Sequence, residues 1–338
     1  MQTNAIDPTT GLDTTESTRS MNRNDVDWHG YWPAAPTPFT ADGALDEQGL
    51  RDLMEIYVEN GVHGILVNGS TGEWFAQSID ERRRVAEIAV EAVAGRTVLV
   101  VGVSAYTATE SEALARHAES AGADGVLATV PPYVHPSRTE ALEFYRRVSS
   151  ASPLPFMAYN WPRGVSVDLA KIPGLMSEIA DLEQVAAIKD STGDWLAMLD
   201  TFEATATRVR VFGSLVHRRG LGIMQTVGGD GAIDGGGVGA PYAVPFFEAA
   251  ERGDVDLAAF WADKYRAISG RLINPDYSGI FASPISQLKT AMSLLGQPGG
   301  HVREPLLPLI DPIAVAAIGE ILRDGGLLVP ESSAQVAI

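Results

Sequence analysis

The sequence predicts an α/β chain closed into a (β/α)8 TIM barrel with a C-terminal three-helix extension, and three observations carry that expectation. Short apolar runs alternate with amphipathic stretches eight times from Tyr31 onward, a rhythm that calls for parallel strands joined by crossover helices. Eight such units over about 225 residues fit a closed barrel, whose usual size is about 250. Three more helical patterns follow the eighth unit, each too short to close a core of its own. An open doubly wound sheet is the alternative, but no G-x-G-x-x-G turn follows the first strand.

The elements read in order as follows. The first strand lies in YWPAAPTPF, and the helix after it in DEQGLRDLMEIYVENG, where Leu50, Leu53, Met54 and Val58 recur at helical spacing. GVHGILVNG is the second strand, followed by a helix over Asp80 to Ala94. TVLVVGV, a helix over Glu110 to Ala121 and the strand DGVLATVP come next, with glycine or proline punctuating the ends. PFMAYN, VAAIKD, VRVFG and DGAIDG repeat the rhythm, each followed by a stretch that can be helical. VDLAAFWADKYRAISGRL, SPISQLKTAMSLLG and DPIAVAAIGEILRDGG read as three helices packed on the barrel. The implied division is a disordered N-terminal tail over 1–27, a barrel over 28–250 and a helical extension over 251–338. The tail is polar and rich in Thr, Asp and Asn, without the apolar stretch a signal peptide needs.

Composition narrows the function. A chain of 338 residues with 45% hydrophobic content can bury a large core. A formal net charge of −18 would repel a nucleic-acid backbone or an anionic membrane surface, so neither is expected as a partner, although a small anion could bind in a locally positive pocket. The absence of cysteine excludes a disulfide framework, a thiolate metal site and a cysteine nucleophile, and suits a reducing cytoplasm. No run approaches the roughly 20 apolar residues of a membrane span. A soluble cytoplasmic protein is expected.

In a barrel of this kind the active site gathers at the carboxyl ends of the strands. Strand two ends in Asn68-Gly69-Ser70-Thr71-Gly72-Glu73, whose small residues and two hydroxyls suit a nest for a carboxylate, or else a plain turn before a helix cap. Strand five ends in AYNWPRG, with Tyr159 at the rim, and a buried tyrosine is more often packing than catalyst. Strand six ends at Lys189, followed by Asp190-Ser191-Thr192-Gly193. Such an amine is either a desolvated nucleophile or a solvated lysine paired with Asp190.

GSTGE, YNWP and IKDSTGD, in this order on strands two, five and six, resemble the N-acetylneuraminate lyase and dihydrodipicolinate synthase family of class I pyruvate-dependent aldolases. The similarity runs from about Tyr31 to Pro308 and includes GHVREPLLPL near the C-terminus. It implies a homotetrameric barrel, a dimer of dimers, with no metal or organic cofactor. By position, Lys189 matches the lysine that forms the Schiff base with the substrate, and Tyr159 the tyrosine that shuttles protons. Ser70 and Thr71, beside Gly72, match the pair that holds the carboxylate of the 2-oxo acid. Tyr133 matches a tyrosine that some members place in a neighbouring subunit's site, relayed through the threonine, and Ile233 an apolar residue lining the pyruvate pocket. Asp190 and Ser191 read as loop caps.

Departures from the family pattern bear on the reaction. Dihydrodipicolinate synthases usually carry an arginine two residues beyond the proline of the strand-five loop; here that position is Gly164 and the arginine is Arg163, which argues against lysine biosynthesis. Pro132 replaces the first of two adjacent tyrosines. After strand seven, FGSLVHRR offers Ser214, Leu215 and His217 where sialic acid lyases present an acid to sugar hydroxyls. Trp74, Trp161 and His217 are candidates to face a bulkier or flatter second substrate. The run VGGDGAIDGGGVGAP would suit a phosphate in isolation, whereas the resemblance implies close packing around the pyruvate pocket. His63, His117 and His301 show no i, i+4 ligand pair, so a metal centre is not expected.

The expected function is a Schiff-base lyase or synthase acting on pyruvate or a related 2-oxo acid and an aldehyde or imine. The alternatives are a dehydratase or deaminase of a 2-oxo sugar acid or cyclic imine by the same iminium, and a non-catalytic ligand-binding barrel.

Overall fold

The computed structural model describes residues 20–328, in which eight parallel strands close into a barrel in chain order. They are β1 (Gly30–Ala34), β2 (Gly64–Val67), β3 (Val98–Gly102), β4 (Gly125–Thr129), β5 (Phe156–Asn160), β6 (Val185–Asp190), β7 (Arg210–Phe212) and β8 (Gly231–Gly235). Between and after them run α1 (Glu47–Glu59), α2 (Ile79–Val93), α3 (Ala108–Ala121), α4 (Arg138–Ser149), α5 (Pro162–Val165), α6 (Leu175–Ala180), α7 (Trp195–Thr205), α8 (Arg218–Thr226) and α9 (Ala240–Glu251). The trailing helices are α10 (Val255–Leu272), α11 (Pro284–Leu294) and α12 (Pro312–Asp324). The (β/α)8 barrel with C-terminal helices expected from the sequence is the fold.

Strand side chains alternate between two destinations. Trp32 and Ala34 of β1, Leu66, Val100, Leu127, Met157, Ala187, Phe212 and Ile233 point inward and fill the barrel. Their neighbours, such as Ile65, Val67, Leu99 and Val101, face the helices and meet Leu50, Leu53, Met54 and Tyr57 of α1. Burial on both faces explains why the strands read as nearly continuous apolar runs. Helix starts are set by side-chain caps: Asp46 accepts from the Gly49 amide, Thr107 from Glu110, and Ser78 and Ser137 form capping boxes with Glu81 and Glu140.

Three boundaries differ from the sequence expectation. β1 stops at Ala34, because Pro36 and Pro38 have no N–H to give a ladder. Between β5 and β6 the single expected helix is broken into α5, a 3-10 turn over Leu169–Lys171 and α6, where Pro162, Pro173 and Gly174 interrupt it. The N-terminal tail does not extend to residue 27. The Met21 amide donates to Glu183 O at 2.7 Å and Arg23 N to Arg208 O at 2.7 Å, while the Arg23 guanidinium pairs with Asp230 at 2.8 Å. Val26 and Trp28 then plug the barrel floor, Trp28 lying edge-on to Trp32 with centroids 5.6 Å apart. Apolar burial and charge pairing at the amino ends of β6, β7 and β8 therefore order residues 20–27, and the rest of the expected tail lies outside the described residues.

Candidate active site

Lys189 is the penultimate residue of β6, a strand buried along its whole length. In the parallel ladder it pairs with Tyr159 of β5 and Phe212 of β7, both interior residues, so its side chain enters the barrel mouth. It is 6% exposed, and its amine lies 4.2 Å from the centroid of the Tyr159 ring. Burial pushes the amine down to about 7, with the charge of Asp234 pulling the other way.

The reading of Lys189 as a solvated partner of Asp190 is corrected. Asp190 alternates to the opposite face, where its Oδ1 accepts from Asn160 Nδ2 at 2.9 Å and from the Thr192 amide at 3.0 Å. Asn160 also donates to Asp168 at 2.8 Å, and the Thr192 hydroxyl to Asp168 at 2.7 Å. This polar layer fixes the ends of β5 and β6 from behind. Burial pushes the Asp190 carboxyl up to about 6.

Burial also pushes the Tyr159 phenol above its ordinary range, with the nearby Ser191 hydroxyl working in the opposite sense. The phenol therefore enters any reaction protonated. Its backbone is held by Tyr145, whose hydroxyl donates to the Tyr159 carbonyl at 2.9 Å.

The turn after β2 is closed by its own backbone, Gly72 N donating to Gly69 O at 3.0 Å and Glu73 N to Ser70 O at 3.1 Å. Ser70 and Thr71 are half-buried at the rim. Behind them Glu73 adopts a left-handed backbone, φ 55°, and its carboxylate is wholly buried. Lys289 of α11 pairs with it at 2.6 Å, and the Arg303 amide donates to it at 2.9 Å. Lys289 donates further to Thr37 O at 2.8 Å and His301 O at 2.5 Å. A buried ion pair thus anchors the turn to the C-terminal extension, a link no local sequence pattern announces.

The remaining sequence candidates separate. Ile233 faces the interior from β8, and Trp161 stacks on Tyr159 with centroids 5.8 Å apart and 19° between planes. Ser214 follows β7 at the rim, exposed and near the hydroxyl of Tyr277. Arg163 is exposed and donates to the Tyr277 carbonyl at 3.3 Å. His217 caps α8, its Nδ1 accepting from the Gly220 amide at 2.9 Å, and its ring lies edge-on to Trp195 at 4.7 Å. Burial holds that imidazole down to about 4, so it is neutral. Tyr133 is 91% exposed, with φ 78°. Trp74 packs under the Arg82 guanidinium and against Tyr106.

The glycine run around β8 serves packing. A Cβ on Gly231 would lie 2.4 Å from the Phe212 ring, and one on Gly237, φ 75°, would lie 2.5 Å from Tyr57. Within this run Asp234 accepts hydrogen bonds from the hydroxyls of Tyr31 and Tyr265, and burial pushes its carboxyl up to about 7. A carboxyl at that place would repel a phosphate. Sequence reading missed Asp234 and Tyr277. A charge inside an otherwise apolar strand could have flagged the first, whereas the second reaches the mouth only through tertiary folding of the extension. Among the described residues, no group of three or more His, Asp or Glu is placed to hold a metal ion.

Residues 27–315 match the model of the dihydrodipicolinate synthetase family. The chain belongs to that family. It is 33% identical over 281 residues to a 4-hydroxy-tetrahydrodipicolinate synthase of Acidothermus cellulolyticus, covering 81% of this chain and 85% of that protein. It is 32% identical over 295 residues to an uncharacterized DapA-like lyase of Rhizobium meliloti, covering 84% and 91%. Among solved structures it resembles YagE of E. coli K12 in complex with pyruvate, with TM-score 0.79 and 27% identity over 90% of this chain and all of that one. The chain is accordingly a lyase or synthase of the class I aldolase type.

Proposed function

We propose that Lys189 attacks the C2 carbonyl of pyruvate or a closely related 2-oxo acid, and that the resulting iminium drives carbon–carbon bond formation or cleavage with an aldehyde. The observation that carries this reading is the enclosed Lys189 amine, brought near neutrality beside a protonated Tyr159. An amine of pKa about 7 is about half in its free, nucleophilic form at neutral pH, whereas one of 10.5 is almost wholly protonated. Attack expels the carbonyl oxygen as water, for which a proton must be delivered; Tyr159 supplies it and later returns it. The Tyr159 phenolate takes a C3 proton to give the enamine, whose C3 adds to the aldehyde carbon as Tyr159 gives that proton to the aldehyde oxygen. Hydrolysis then frees the 4-hydroxy-2-oxo acid and Lys189. In the reverse direction the same groups cleave that bond.

Ser70, Thr71 and Gly72 hold the substrate carboxylate through backbone amides and hydroxyls, and Ile233 lines the methyl end of the 2-oxo acid. The iminium is itself the electron sink, so this mechanism calls for no metal or organic cofactor. We further propose that the chain works in the cytoplasm as a homotetramer, in which Tyr133 enters a neighbour's site and joins Thr71. Dehydration or deamination would use the same iminium, and the two are told apart by whether free pyruvate is consumed or released.

Lys189→Ala removes the nucleophile, so turnover falls by at least about 10³-fold while circular dichroism stays native. Retained turnover in that variant would contradict the assignment.

A further inference from the structure

Three rings form a row leading away from the reacting lysine. Tyr159 lies against the Lys189 amine, Trp161 stacks on Tyr159 at 5.8 Å, and Tyr277 meets Trp161 edge-on at 5.7 Å. Tyr277 comes from the segment between α10 and α11, closed by the bridge of Ile273 to Gly279 and by Asn274 N donating to Ser278 O at 2.8 Å. Its ring and carbonyl meet Trp161 and Arg163 of the β5 loop, and its hydroxyl lies near Ser214 after β7, so the segment borders the strand end that bears Lys189. Its backbone sits at φ 62°, a conformation that a bulky residue keeps only where its surroundings enforce it and that marks functional positions.

Charge at this end of the mouth is the second observation. Arg163, the arginine of the β5 loop, is exposed and bound to the Tyr277 carbonyl at 3.3 Å, with Asp276 also feeling its charge. A polyol would find rings where it needs hydrogen-bonding groups.

We infer that Trp161 and Tyr277 form the wall for the second substrate, and that this substrate is an aldehyde bearing a flat, apolar group. The inference rests on the aldolase reading of Lys189 and goes beyond it to the acceptor. The enamine carbon bonds to the aldehyde carbon, the aldehyde oxygen takes its proton from Tyr159, and water hydrolyses the iminium. The ring of the acceptor meanwhile lies against Trp161 and Tyr277, where aromatic pairs are favoured. Tyr277 is thus a specificity-determining residue.

The test measures condensation of pyruvate with benzaldehyde, glyoxylate and erythrose, by wild type, Tyr277→Phe and Tyr277→Ala. Borohydride trapping of pyruvate on Lys189 is run on each protein. The expected result is that benzaldehyde has the highest kcat/KM. Tyr277→Ala lowers that value about 10- to 100-fold, Tyr277→Phe by less than about threefold, and trapping is the same in all three. Preference for glyoxylate or erythrose, or an unchanged benzaldehyde rate in a Tyr277→Ala protein that still traps pyruvate, overturns the inference and leaves the aldolase reading standing. Failure of wild type to trap pyruvate overturns both.

Discussion

Burying the Lys189 amine disfavours its charged form, and the only counterweight that bears on it here is the negative charge of Asp234. Protonation removes the nucleophile, so kcat/KM falls as pH drops through about 7. Asp234→Asn keeps an acceptor for Tyr31 and Tyr265 but removes the charge that stabilises the ammonium. Its acid limb therefore moves to lower pH, by about half to one pH unit, in a kcat/KM profile. An unmoved limb, or one moved upward, would show that Asp234 does not act on Lys189. At this scale the sequence was informative where a residue type was out of place. A lysine after an apolar run flagged Lys189 as either an enclosed amine or a solvated partner of Asp190, and the acid in DGAIDG could have been flagged the same way. Tyr277 could not, because nothing within NPDYSG says that it folds over the barrel mouth.

Elements differ in how far their own residues determine them. The pattern VDLAAFWADKYRAISGRL coincides with α10, Val255–Leu272, because an aspartate cap and an apolar stripe are local features. The β5–β6 connection was less legible, since prolines break it into short helices whose places depend on packing. The turn after β2 is the clearest case of a distant dependence, being tied to α11 by Glu73 and Lys289, both less than 5% exposed. Glu73→Gln leaves Lys289 charged and unpaired in the interior and is expected to cost about 3–5 kcal/mol in urea unfolding. The double variant Glu73→Gln/Lys289→Met removes both charges and is expected to cost less than the single one. Equal losses would mean that the pair does not anchor the turn.

The whole molecule follows from the alternation of short apolar runs and amphipathic stretches, which fixes parallel strands and leaves closure as the economical solution. Order in residues 20–27 was hidden because Val26, Trp28 and Arg23 act through contacts on the barrel floor rather than through any periodic pattern. A tetramer is expected from the resemblance alone. With Tyr133 exposed in the single chain, light scattering is expected to report four chain masses, and Tyr133→Phe to lower turnover without changing that mass. A fully active monomer would remove Tyr133 from the mechanism. The central claim remains the covalent role of Lys189, and intact-protein mass after borohydride treatment with pyruvate tests it most directly. One reduced pyruvate adduct per chain is expected, mapped to the peptide containing Lys189 and absent from Lys189→Ala. Folded protein that gains no mass, or gains it at another lysine, would contradict it.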